Sequence, residues 1–102
     1  MYLFTTSLYP NDKAKEAANM YIKAMAKYPP DVSLGTPIVP GAVLATSQGI
    51  KVIHIFDVKK GKLDDAMALA VNRMVMFYDI QGFRVTFETY LNLEEALKFI
   101  GM

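Results

Sequence analysis

His54 is the only histidine in the chain and lies within the apolar, β-branched run Ile50 to Val58, so any proton transfer by an imidazole near neutral pH rests on it. A second run, Phe83 to Leu91, alternates, which sends Phe83, Val85, Phe87 and Leu91 to one face of a strand and Arg84, Thr86, Glu88 and Tyr90 to the other. If Ile53 and Ile55 join Val85 and Phe87 beneath helices, His54 and Phe56 share the opposite face with Arg84, Thr86, Glu88 and Tyr90. On that grouping His54 gives or takes the proton, Arg84 clamps an anionic or carbonyl oxygen, and Glu88 orients as the carboxylate. Phe56, Thr86 and Tyr90 then complete a ligand-binding surface, with Tyr90 as hydroxyl donor. The competing account is bland: the same polar groups satisfy one another at a subunit interface, and a lone histidine in an apolar strand more often serves structure than catalysis.

Other chemistry is thinly represented. The chain has no cysteine, which excludes disulfides, thiolate metal sites, iron–sulfur clusters and a cysteine nucleophile. Asp64, Asp65, Glu94 and Glu95 stand at helix starts, where carboxylates favour the dipole, and one imidazole cannot make a two-histidine site, so no metal is expected. Ser7, Ser33 and Ser47 are the only serines, none in a Gly-x-Ser-x-Gly elbow, and no glycine-rich phosphate loop follows a strand. No cofactor is therefore expected. Eleven Lys plus Arg against ten Asp plus Glu leave a net charge of +1, which disfavours nucleic acid and anionic membranes. Lys59, Lys60 and Lys62 around Gly61 read as a solvated turn. The N-terminus has no basic segment leading a long apolar stretch, and no run approaches the ~20 residues that span a bilayer, so a cytoplasmic protein is expected.

These residues need a scaffold, and the chain supplies one domain's worth in its 102 residues. Tyr2 to Tyr9 reads as a strand, and Pro10-Asn11-Asp12 ends it and offers a helix N-cap. Ala14, Ala17, Ala18, Tyr21, Ile22, Met25 and Tyr28 recur at helical steps up to the stop at Pro29-Pro30. Asp31 to Pro40 reads as an irregular or edge segment before a strand at Gly41 to Thr46, and Gln48-Gly49 turns the chain into Ile50 to Val58. A second helix is predicted from Leu63 to about Ile80, apolar nearly all round, and Met67, Met74 and Met76 on it are core fillers that would also suit an adaptable ligand wall. After Phe83 to Leu91, the Asn92 to Glu95 spacing predicts a capping box and a short helix through Ile100. The order β-α-β-β-α-β plus a terminal helix is the split-βαβ, ferredoxin-like α+β arrangement, an antiparallel sheet with both long helices on one face. With 53% hydrophobic residues in so small a chain, part of the apolar surplus is expected outside a single core, which suggests self-association.

Element order, length and the strand-turn-helix start Leu8-Tyr9-Pro10-Asn11-Asp12 resemble the dimeric α+β barrel proteins, in particular small single-domain members of uncharacterised activity. The resemblance implies a homodimer, or a higher oligomer built on it, with a small-molecule pocket between sheet and helices or inside the barrel. It also implies a monooxygenase- or isomerase-like metabolic role. In monooxygenase members an Asn, a Trp and a His often mark the haem or aromatic-substrate site, and this chain has no Trp, which argues against haem degradation of that kind. A non-catalytic structural or protein-interaction module is the alternative. An RNA-binding module shares the element order, but Gly82 to Phe87 follows the second helix whereas the RNA signature precedes it.

Overall fold

The computed structural model describes residues 1–102. The β-branched and aromatic runs form strands β1 (Tyr2–Tyr9), β3 (Gly49–Val58) and β4 (Arg84–Tyr90), with β2 at Gly35–Thr46. The periodic segments form α1 (Ala14–Lys27), α2 (Leu63–Val75) and α3 (Leu93–Phe99). The strands make one sheet in the order β2-β3-β1-β4, each neighbouring pair antiparallel. This is the ferredoxin-like α+β fold.

Helices α1 and α2 cover one face of the sheet. Ala17 and Ala24 of α1 meet Met74, Phe77 and Ile80 in one buried cluster, and Leu3, Leu34, Val58 and Ala66 form a second. The body measures 49 × 30 × 17 Å with a radius of gyration of 14.8 Å, against roughly 13 Å for a compact domain of about 100 residues. One helical layer on one sheet layer accounts for that flatness. No helix is long and apolar enough to cross a membrane.

Three local expectations are corrected. Strand β2 starts at Gly35, six residues before the predicted strand, and carries Pro37 and Pro40 within it. It is an edge strand, so a residue without an N–H is tolerated, and its register slips between Pro37 and Val39 and again between Val39 and Ala42. Asp12 does not cap α1: a 3₁₀ turn over Asn11–Lys13 leads in, and the Asn11 Nδ2 instead donates to the Thr46 carbonyl at 2.9 Å, fastening the β2–β3 hairpin to the first helix. Helix α2 ends at Val75 rather than near Ile80, and tighter turns carry the chain on, with the Phe77 N–H donating to Met74 and the Ile80 N–H to Phe77. The capping box at α3 forms as predicted, the Glu95 N–H donating to the Asn92 side chain at 2.8 Å and the Asn92 N–H to Glu95 at 3.0 Å.

Candidate functional site

The register of the sheet divides the residues predicted to act together. His54 lies opposite Thr5 on β1, and Thr5 lies opposite Phe87 on β4, so all three share a face. Leu3, Thr5 and Ser7 on that face are buried beneath the helices. Phe56, opposite Leu3, is there too. Arg84, Thr86, Glu88 and Tyr90 stand on the other face with Phe4, Thr6, Ile53 and Ile55. The predicted grouping of His54 and Phe56 with Arg84, Thr86, Glu88 and Tyr90 therefore does not form, and Ile53 and Ile55 are not under the helices. The alternation within each strand holds; the phase between β3 and β4 is set by β1, which runs between them. Two of the set do meet: the Tyr90 hydroxyl donates to Glu88 at 3.0 Å, which raises the phenol's pKa, and the Tyr90 ring sits edge-on to Phe4 at 4.6 Å.

On the helix side His54 has different company. The second slip of β2 leaves Pro40 and Gly41 unpaired across from it, and the Pro40 carbonyl lies 2.6 Å from the His54 Nδ1. A carbonyl only accepts, so Nδ1 carries the proton and Nε2 of the neutral ring keeps its lone pair. The Tyr21 ring of α1 stacks on the imidazole, 6.4 Å between centroids and 16° between planes. Burial pushes the His54 pKa below 6.5, the Pro40 hydrogen bond works the other way, and the charge of Arg73 adds to the lowering. The ring is a neutral proton acceptor at pH 7.

Arg73, on α2, is the candidate site residue that the sequence analysis does not name. Its Nε donates to the Tyr28 carbonyl at 2.8 Å, at the end of α1, while its Nη2 is shielded from solvent and has no partner. Burial lowers the guanidinium's pKa, opposed by Tyr21, yet an arginine stays cationic throughout the working range. A signal was present in the sequence: Ala66, Ala70, Arg73 and Phe77 follow at steps of four, three and four, which places one guanidinium on the buried stripe of a helix.

His54 and Arg73 line the same cavity of about 240 Å³ between sheet and helices, its apolar walls including Leu3, Met25, Phe56 and Leu69. Thr5 lies on its sheet side. Asp31, the one carboxylate in its lining, is fully exposed and held by the Ser33 N–H at 3.0 Å and hydroxyl at 2.5 Å, bonds that lower its pKa. Tyr21, Pro40, His54 and Phe77 also wall a second cavity of about 360 Å³. A neutral base, a fixed cation and apolar walls suit a small organic molecule that carries one polar end.

The depressed pKa of His54 has a pH signature. Above 6.5 the ring is neutral in both folded and unfolded chains; as the pH falls below that value the unfolded chain takes up the proton first, so stability declines until the folded ring also titrates. Urea midpoints measured from pH 7.5 to 5 are expected to fall in the wild type and to flatten in His54→Gln. An identical slope in both would assign the effect to other groups.

No family model matches the chain, and no curated protein matches it in sequence. Among solved structures it is similar to a Deinococcus radiodurans protein described as a "putative antibiotic biosynthesis monooxygenase", at 13% identity and a TM-score of 0.51, over 90% of this chain and 94% of that one. The likeness is one of fold.

Proposed function

We propose that this chain binds a small organic molecule in the cavity between sheet and helices and acts on it as a metabolic enzyme of monooxygenase- or isomerase-like class. His54 serves as the proton acceptor through Nε2, and Arg73 takes the clamping role that the sequence assigned to Arg84. The observation that carries the reading is the half-buried guanidinium of Arg73, its Nη2 shielded from solvent and unpartnered, in the lining of the same cavity as a neutral His54. A shielded donor without a partner is costly, and structures retain such groups where a ligand completes them. The fold shared with the Deinococcus protein, whose name describes a monooxygenase, supports the class.

The working form in this proposal is a homodimer with the two open sheet faces together. Phe4, Ile53 and Ile55 sit half-buried on that face with no layer over them, which favours a cover of apolar kind. Arg84, Thr86, Glu88 and Tyr90 then lie in or beside the subunit interface. The same uncovered face is the observation that favours the second reading, a non-catalytic interaction module. Amide NMR titration of the full chain with 2-naphthamide and with 2-naphthoate separates the two. Saturable shifts at Thr5, His54, Arg73 and Phe56 with either probe support the ligand site; no saturable shift there with both, or shifts confined to β4, supports the module.

A further inference from the structure

We propose that the molecule taken by this cavity is a one- or two-ring organic acid, bound with its anionic oxygen on Arg73. The inference rests on the reading of the cavity as a ligand site and goes beyond it to the charge the ligand must carry. With Nε fixed on the Tyr28 carbonyl at 2.8 Å, the guanidinium plane is set before any ligand arrives. Its Nη2 is shielded from solvent and bonded to no protein group, and Arg73 lines the cavity, so a ligand oxygen placed against the guanidinium supplies the acceptor this donor lacks. The His54 ring is neutral, which leaves Arg73 as the one cation of the lining, and Asp31 stands exposed with its carboxylate engaged by Ser33. An anion therefore meets an uncompensated positive charge among apolar side chains, where charge-assisted bonds are strongest. A ligand cation meets that same charge as repulsion.

Size follows from the volume. About 240 Å³ lies below the roughly 300–1,000 Å³ of sites for drug-sized ligands, so the space suits one or two fused rings. Leu3, Phe56 and Leu69 supply apolar contact for the ring faces, and Met25 can adjust its shape to the ring edge.

Calorimetric titration at pH 7.5 with 2-naphthoate and with 2-naphthamide, which have the same rings and differ in charge, tests the inference. The wild type is expected to bind the acid ~10-fold or more tightly than the amide, and Arg73→Met to bring that ratio close to one. Arg73→Lys, which keeps a cation without the planar fork, is expected to retain part of the preference. The wild-type ratio alone decides the matter if a variant does not fold. Equal binding of the two probes overturns the acid while leaving the cavity as a ligand site, and so does a preference that survives in Arg73→Met. Binding of neither overturns both.

Discussion

Replacing Ile53 by aspartate is expected to turn the proposed homodimer into a monomer. Ile53 lies opposite Thr6 and Ala42, in the middle of the sheet face that the helices leave open, and it lines neither cavity. In a two-fold interface each substitution occurs twice across one contact, so two carboxylates would be driven into an apolar centre. Truncating a single central residue commonly costs about 2–4 kcal/mol of association, and a buried unpaired charge costs more, enough to weaken dimerisation by well over 100-fold. Sedimentation velocity at micromolar concentration is the measurement. The wild type should sediment as a dimer and Ile53→Asp as a folded monomer of 11.4 kDa that still binds naphthoate in its helix-side cavity. A monomeric wild type, or a variant that remains dimeric, would remove the proposed face-to-face pairing.

Gly35→Ala should cost more stability than alanine at either of the other glycines of the sheet, Gly41 and Gly49. A Cβ built on Gly35 would stand 2.0 Å from the Asp57 carbonyl oxygen and 2.8 Å from the Phe56 ring, and the residue's φ of +151° is one that side-chain-bearing residues rarely adopt. Overpacking alone costs about 1–3 kcal/mol, and backbone strain of this kind about as much again. The chain can relieve the clash only by lifting the start of β2 from β3. That movement would also withdraw the Pro40 carbonyl from the His54 Nδ1, so the variant should lose the fixed tautomer as well as several kcal/mol of urea-resistance. A shift in urea midpoint within the error of the wild type would mean that β2 is not anchored at Gly35 as described.

The elements themselves were legible in the sequence because each has a local cause. The β-branched run of β3, the Asn92 to Glu95 spacing and the Pro29-Pro30 stop act within a few residues of themselves. The start of β2 was not legible, since Pro37 and Pro40 argue against a strand unless it is known to lie at an edge, and edge position is a property of the whole sheet. The composition of the site failed for a related reason. Both faces of β3 are apolar, so its parity alone does not choose between them, and β1 misleads: the buried set is Leu3, Thr5 and Ser7 while Phe4 and Leu8 point to the open face. A strand that turns hydroxyls toward the helices and aromatic surface away is consistent with a few polar groups in an otherwise apolar cavity on one side and an uncovered apolar face on the other. Arg73 was not legible because it is the single cation on the inward stripe of a helix that is apolar nearly all round.

His54 being the only histidine, its ring nitrogens give one pair of signals in a long-range proton–nitrogen NMR spectrum of labelled protein. If the cavity between sheet and helices is the ligand site, that spectrum at pH 7 shows Nδ1 protonated and Nε2 bare, and added 2-naphthoate moves the ring signals to saturation. A ring protonated at Nε2, or one that stays unmoved while 2-naphthoate shifts the amides around Tyr90, would contradict it.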